Sequence, residues 1–349
     1  MKIALIILIF TVCNFSGATS LYEVEVAVES QNSVDRERGV EEALRLLLVR
    51  VTGLKSVPQN ELVAQAYLDP GNWQTSYGYI IREELDPKGM VYSQTYLVVN
   101  FERELILRLV REAGLPVWLS DRPRLLAWIV NAEHDGERTI LSDASNIALT
   151  QFIQKRSRVR GITIELPLFD LEERNQLSPS MITGGFDELI VQLSKRYSPD
   201  HVILGYVFES PEGNLKVLWR SPAKDDTQLY GVEAKTLDLA ATKLVDHMAD
   251  ETMQRSVLFH REFHTISISV TGIKGVESYM RVLSYLESME FVDEVLITRV
   301  ASNQIDFRVK SPYSKERFNS LTGREGQLVL KKPSVNVSDK QVFVWRGKH

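Results

Sequence analysis

Glu165 and Asp170 lie five residues apart where a strand should pass into a loop, with Glu172 and Glu173 just beyond. Paired acids do hydrolytic work when one keeps its proton in a cleft and the other stays ionised, so Glu165 and Asp170 are the catalytic candidates for an envelope or cell-wall hydrolase. In open α/β sheets ligands collect beyond the carboxyl ends of strands, where this loop would sit, and a small-ligand receptor would use the same place. Gly184 and Gly185 precede an expected helix at 186–197, and free amides there would hold an anion. Trp118, Arg122 and Trp128 flank a crossing rich in proline, and aromatic residues at such a point either pin two domains together or receive a partner. His260 and His264, four apart with Glu262 between them, have the spacing of two metal ligands on a helix face. They fall where a helix hands over to a strand and no third ligand accompanies them, so neither a metal nor a cofactor is expected.

The familiar catalytic signatures are missing from the sequence. It has no Gly-x-Ser-x-Gly elbow, no Gly-x-Gly-x-x-Gly, no phosphate loop, no His-Glu-x-x-His and no calcium loop. That tilts the reading toward binding. Cys13 is the sole cysteine and lies inside a leader, which leaves no thiol nucleophile, thiolate zinc site or iron–sulfur ligation beyond it. Loss of Lys2 with the leader takes 41 basic residues to 40 against 46 acidic, a balance of −6, so nucleic acid is not an expected partner. The densest basic stretch, Lys155, Arg156, Arg158 and Arg160, falls at the expected end of a helix, where cations complement the dipole.

Three stretches of elements must position these residues. Between 21 and 120, Tyr22, Val24, Val26 and Val28 alternate with polar residues as in a strand wet on one face. Val40, Ala43, Leu44, Leu47, Leu48 and Val51 then recur at helical spacing up to a terminating Gly53. A short helix at 60–68, two strands at 73–84 and 91–101 about a turn at 87–89, and a helix at 102–113 complete an N-terminal α+β unit.

Between 121 and 258 the pattern changes. Leu125 to Val130 is apolar throughout, as in a strand covered on both faces. Helices at 143–154 and 186–197 alternate with strands at 161–166 and 201–208, which predicts a central three-layer α/β domain with a mostly parallel sheet. Strands at 215–219 and 230–234 and a long helix capped by Thr236 follow. From 259 to 349 the order strand, helix, strand, strand, helix, strand is that of a C-terminal ferredoxin-like βαββαβ unit, with an extra strand at 341–345.

Residues 1–20 carry one positive charge, an apolar run from Ile3 to Val12 and small residues at the exit, the three parts of a cleavable secretory signal peptide. Polar Thr11, Asn14 and Ser16 come too early for a bilayer-spanning helix, which needs about 20 apolar residues. The expected location is the periplasm, with no membrane span after cleavage and no disulfide.

On three features the chain resembles the proteobacterial domain-of-unknown-function family 2066 (DUF2066), a family of exported proteins. They are the opening Val24 to Gly53 with its Arg50-Val51-Thr52-Gly53 end, the Leu115-Pro116-Val117-Trp118 to Arg122-Pro123 crossing that leads to Trp128, and the Arg196-Tyr197 to Gly205 segment. The resemblance brings no catalytic residues. Export, several compact units and sheet edges able to accept a strand together point to a non-catalytic binding or scaffold factor for an envelope protein or complex.

Overall fold

The structure, a computed structural model, describes residues 21–86, 90–134, 136–145, 148–222, 229–258, 263–323, 326–331 and 340–347. The leader with Cys13, the turn at 87–89, His260 and Glu262 lie outside the described residues. The chain is a mixed α/β protein carried on separate sheets. No described helix is long and apolar enough to cross a membrane.

The first sheet is antiparallel, in the order β1-β3-β2, formed by β1 (Glu23–Val28), β2 (Gln74–Leu85) and β3 (Val91–Phe101). Three helices, α1 (Ser33–Thr52), α2 (Glu61–Leu68) and α3 (Arg103–Glu112), complete this stretch. Alternation does what it predicts: Val24 pairs with Val99 and Val26 with Leu97, and this face packs with the buried α1 stripe Val40, Ala43, Leu44, Leu47, Leu48 and Val51. Each such leucine or valine stabilises the fold by about 1.5–3 kcal/mol relative to an exposed one. The helix starts before its apolar stripe does, because the Asn32 side chain accepts the Asp35 N–H at 2.8 Å and caps two polar turns. It stops at Gly53, whose left-handed φ of 74° closes the last turn onto the Val49 carbonyl.

The central stretch runs β4 (Val117–Trp118), β5 (Arg124–Ala132), β6 (Arg138–Ile140), α4 (Ala148–Arg160), β7 (Thr163–Glu165), α5 (Leu171–Gln176), α6 (Pro179–Thr183), α7 (Asp187–Ser194), β8 (His201–Glu209), β9 (Leu215–Arg220), β10 (Tyr230–Ala234) and α8 (Leu237–Ser256). Its six-stranded sheet has the order β10-β9-β8-β5-β6, with β7 also on β5. Every side chain from Leu125 to Val130 is buried, alternate ones entering clusters on opposite faces of the sheet. The expectation of a mostly parallel sheet is corrected. Parallel pairing joins β5 to β7 and to β8, while β6, β9 and β10 pair antiparallel. Short loops cause this: β5 turns straight back into β6, and β8 into β9, so no helix crosses over at those points.

The last stretch runs β11 (Val257–Leu258), β12 (His264–Thr271), α9 (Gly275–Glu287), β13 (Glu294–Ala301), β14 (Gln304–Ser311), α10 (Lys315–Thr322), β15 (Leu328–Leu330) and β16 (Gln341–Trp345). Its sheet order is β13-β14-β12-β16-β15. In a plain βαββαβ sheet the fourth strand would lie against the first. Here β16 enters parallel to β12 and displaces β15 to the edge. The two crossings between stretches also meet, since β4 and β11 pair antiparallel, Trp118 opposite Val257.

Candidate functional site

Glu165 and Asp170 are held by different arginines. Glu165, at the end of β7, faces Arg124 at 3.6 Å. Asp170 caps α5 by accepting the Glu173 N–H at 3.1 Å and pairs with Arg196 at 2.9 Å. The Arg196 hydrogen bond, with those from the α5 backbone, lowers the Asp170 carboxyl below its usual range, the opposite of what a general acid needs. Buried Glu173 accepts the Tyr197 hydroxyl at 2.5 Å, and Tyr197 accepts the Leu168 N–H at 2.9 Å. Burial and then the Glu173 bond push the Tyr197 hydroxyl up to about 12. The acidic loop is thus tied down by its own arginines and tyrosine. At the carboxyl ends of β5 and β8 the chain turns back into hairpins with β6 and β9.

Gly184 and Gly185 do not frame an anion cradle. The Gly184 N–H donates to Ser180 O at 2.8 Å and closes α6, and Gly185 turns the chain with φ +85°. The positive end of the α7 dipole already has Asp187 and Glu188 in its first turn, with Asp187 paired to Arg220.

Trp128 is corrected as a junction residue. It lies wholly inside the central core, donating its indole N–H to Ser194 Oγ at 2.9 Å and meeting Tyr197 edge-on. The strand period sends it to the face opposite Leu125, Ala127 and Ile129. Trp118 is at the crossing and fully buried, so it pins elements together and has no surface to offer a partner.

Arg122 organises that crossing. Its guanidinium stacks over Trp118 at 4.0 Å and donates to Leu119 O at 3.0 Å, Trp118 O at 3.1 Å, Arg50 O at 2.7 Å and Gly161 O at 2.6 Å. Arg50 O and Gly161 O are orphan carbonyls at the C-terminal ends of α1 and α4, so one side chain caps two helices 39 residues or more from itself in sequence. Gly161 has φ +68°, and a Cβ there would come within 2.2 Å of Arg122 Nη1. Burial pulls the Arg122 guanidinium down to about 9, which leaves it charged at neutral pH. Arg50 in turn donates to Leu21 O at 3.0 Å and Glu23 O at 2.7 Å.

Arg160, fully buried, donates to Gly53 O at 3.0 Å, Asp246 at 2.9 Å and Asp250 at 2.8 Å, with Arg156 also on Asp246. The basic run, expected at a helix end where cations complement the dipole, is half internal: Arg156 and Arg160 turn inward to Asp246 and Asp250. Glu290, from the loop after α9, accepts the Ser120 N–H at 2.6 Å and the Tyr22 hydroxyl at 3.4 Å, and Arg111 donates to Met289 O at 2.8 Å. A cavity of about 260 Å³ opens here between Arg103, Ser120, Asp121, Glu290 and Phe291, smaller than the sites that enclose small-molecule ligands.

Apolar surface collects at the sheet edges. On outer strand β2, Tyr77 and Ile81 are exposed, Ile81 to 69%, on the same face as Glu83, and Val91 and Tyr92 of β3 are exposed at the ribbon's far end. On outer strand β13 nearly every residue from Leu296 onward is exposed.

A domain of unknown function (DUF8605) matches residues 17–119. No curated protein matches the chain. The match overturns the resemblance to DUF2066, whose most specific residues, the crossing from Leu115 to Pro123 and on to Trp128, lie at or beyond its end. Trp118 and Trp128 are fully buried packing residues, and part-buried Arg122 caps helix ends.

Proposed function

We propose that the chain is a non-catalytic binding or scaffold protein of the bacterial envelope, exported by a leader at 1–20, which docks an extended segment of another envelope protein on β2. On this reading the chain divides into three units, 21–120, 121–258 and 259–349, the last a ferredoxin-like unit widened by an inserted strand. The end of the family match at 119 supports the first division. The observation that carries the reading is the surface of β2: a 12-residue outer strand with Tyr77, Ile81 and Glu83 on one face. Such a strand offers a row of backbone donors and acceptors to a guest strand. The guest fitted to it has apolar side chains against Tyr77 and Ile81 and a base against Glu83. Behind it, the arginine-capped crossing holds the neighbouring units in one arrangement, as a scaffold requires.

The test places a photocrosslinking amino acid at Ile81 in growing cells and maps the product by mass spectrometry. A single partner peptide with that alternation, whose isolated synthetic copy binds the purified chain and loses affinity for Ile81→Lys, supports the reading. Absence of a discrete product, or recovery of a leader-bearing precursor in the cytoplasm, overturns it.

A further inference from the structure

We propose that the chain forms a twofold dimer in which β13 pairs antiparallel with β13 of a second copy about Ile297. The outermost strand of the C-terminal sheet is exposed over almost its whole length. Its register on β14 sorts the side chains. Val295, Ile297 and Val300 pair with Val309, Phe307 and Ile305 and share their core-side face, whereas Glu294, Leu296, Arg299 and Ala301 lie on the other, with a bulge at Thr298. On the core-side face the helical layer stops short of the edge, leaving Val300 65% exposed and Ile297 exposed beside it.

The nearest helix extends this apolar strip. Tyr285 of α9 packs against Trp345 of β16, so that flank of α9 points away from β13. Val276 and Met280 project from the opposite flank, by the helical repeat of 100° per residue, and both are exposed, Val276 to 77%. Val276, Met280, Ile297 and Val300 therefore form one apolar border along the open edge. Isolated apolar residues on a surface are ordinary; a border of four beside unpaired backbone is the arrangement that joins sheets.

The strand complements itself. Turned antiparallel about Ile297, with the bulge counted as one position, a second β13 places Val295 opposite Val300, Leu296 opposite Arg299 and Glu294 opposite Ala301. Each residue then meets one from its own face, as pairing demands. Glu294 becomes the diagonal neighbour of Arg299 on the other copy, and the symmetry makes that ion pair twice. Rotation also brings the two apolar borders together on one side of a continuous ten-stranded sheet, an isologous contact that closes after two copies.

Sedimentation velocity on the full chain tests this directly. The expected result is a dimer that Ile297→Lys and Val300→Lys each convert to monomer with unchanged thermal unfolding, while Ile81→Lys leaves it intact. That last arm separates this proposal from the strand-docking reading of β2. Oxidative crosslinking in a Cys13→Ser background gives a second readout that does not depend on the lysine variants. Ile297→Cys lies at the axis and should link copy to copy. Glu294→Cys, about 20 Å from its mate in this register at about 3.3 Å per residue, should not. A chain that is monomeric at 100-fold dilution and at its highest soluble concentration alike overturns the proposal. So does a dimer indifferent to Ile297→Lys, or equal crosslinking from the two cysteine positions.

Discussion

The crossing around Arg122 and the outer strand β2 treat backbone polar groups in opposite ways. At the crossing, the Arg50, Gly53 and Gly161 carbonyls at the ends of α1 and α4 are taken by Arg122 and Arg160, the first part-buried and the second fully buried. Along β2, the outer strand of its sheet, no described strand takes the outward N–H and C=O groups, and Tyr77 and Ile81 are exposed. A buried carbonyl without a donor costs about 1–3 kcal/mol, whereas an outward one on an edge strand is satisfied by water until a guest replaces it. The arginines at the crossing are therefore committed to fixing internal geometry, whereas β2 leaves apolar side chains accessible at a strand edge.

The largest effect should come from breaking the buried side of that comparison. Arg122→Ala removes a cation that serves five carbonyls, and its loss should cost about 3–5 kcal/mol, since each buried carbonyl left without a donor costs about 1–3 kcal/mol. Hydrogen exchange should accelerate together at the C-terminal turns of α1 and α4 and in β4. Arg122→Lys keeps the charge but not the planar fork, so it should recover only part of the loss. Exchange confined to 117–123 would show that Arg122 caps its own loop and does not couple the two helices.

Glu290 comes next. Its carboxylate holds the Ser120 N–H and the Tyr22 hydroxyl, joining the loop after α9 to the crossing. Glu290→Ala should cost roughly 2–3 kcal/mol, the worth of hydrogen bonds to a charged group. Exchange should rise at 119–121 and 284–291 while β5 and β8 stay protected.

On the exposed side, Ile81→Lys should leave unfolding within about 0.5 kcal/mol of the parent, as surface substitutions do. Partner binding should fall at least tenfold, equivalent to about 1.4 kcal/mol. Equal losses of stability and binding would make Ile81 a packing residue and remove the contrast with Arg122.

Asp306 gives the comparison a pH dependence. Burial alone would raise this carboxyl, but hydrogen bonds from Lys340, Gln304 and Ser269 outweigh it and hold it below its usual range. A carboxylate depressed in the folded state contributes stability above its unfolded value, about 3.9, and loses it as pH falls through the folded value. Asp306→Asn should therefore cost about 1 kcal/mol at pH 7. The difference between variant and parent should shrink as pH falls below the unfolded value and vanish once it has passed the folded one, by urea unfolding followed across that range.

What the sequence made legible was local. The alternation in β1, the α1 stripe and its end at Gly53, and the doubly covered β5 all follow from periods of 2 and 3.6, which depend on neighbours in the chain. The start of α1 was readable in principle, since Asn32 followed three residues later by Asp35 is a capping pattern, but the apolar period begins only at Val40. The rest depends on distant partners. Arg160 looks like any cation at a helix end until Asp246 and Asp250, 86 and 90 residues on, enclose it. The insertion of β16 between β12 and β15 leaves no trace in either strand's pattern. The candidate acids were misleading for the same reason, because the arginines that neutralise them, Arg124 and Arg196, are brought in by other strands and turns.

The smallest effect is the most pointed test of the hydrolase alternative. Glu165 and Arg124 form a partly exposed ion pair at 3.6 Å, and such pairs contribute about 0–1 kcal/mol. Glu165→Gln preserves shape and removes the charge, so unfolding should move by no more than about 0.5 kcal/mol and partner binding at β2 not at all. A carboxylate doing acid–base chemistry behaves otherwise: the same substitution would remove a factor of about 10² or more from turnover of a cell-wall fragment. Assay of the parent and Glu165→Gln on such fragments therefore decides the point. Turnover in the parent that disappears in the variant would return function to the central sheet and leave β2 as an ordinary edge; an unchanged variant keeps the chemistry-bearing residues where the crossing and the acidic loop place them, in the service of structure.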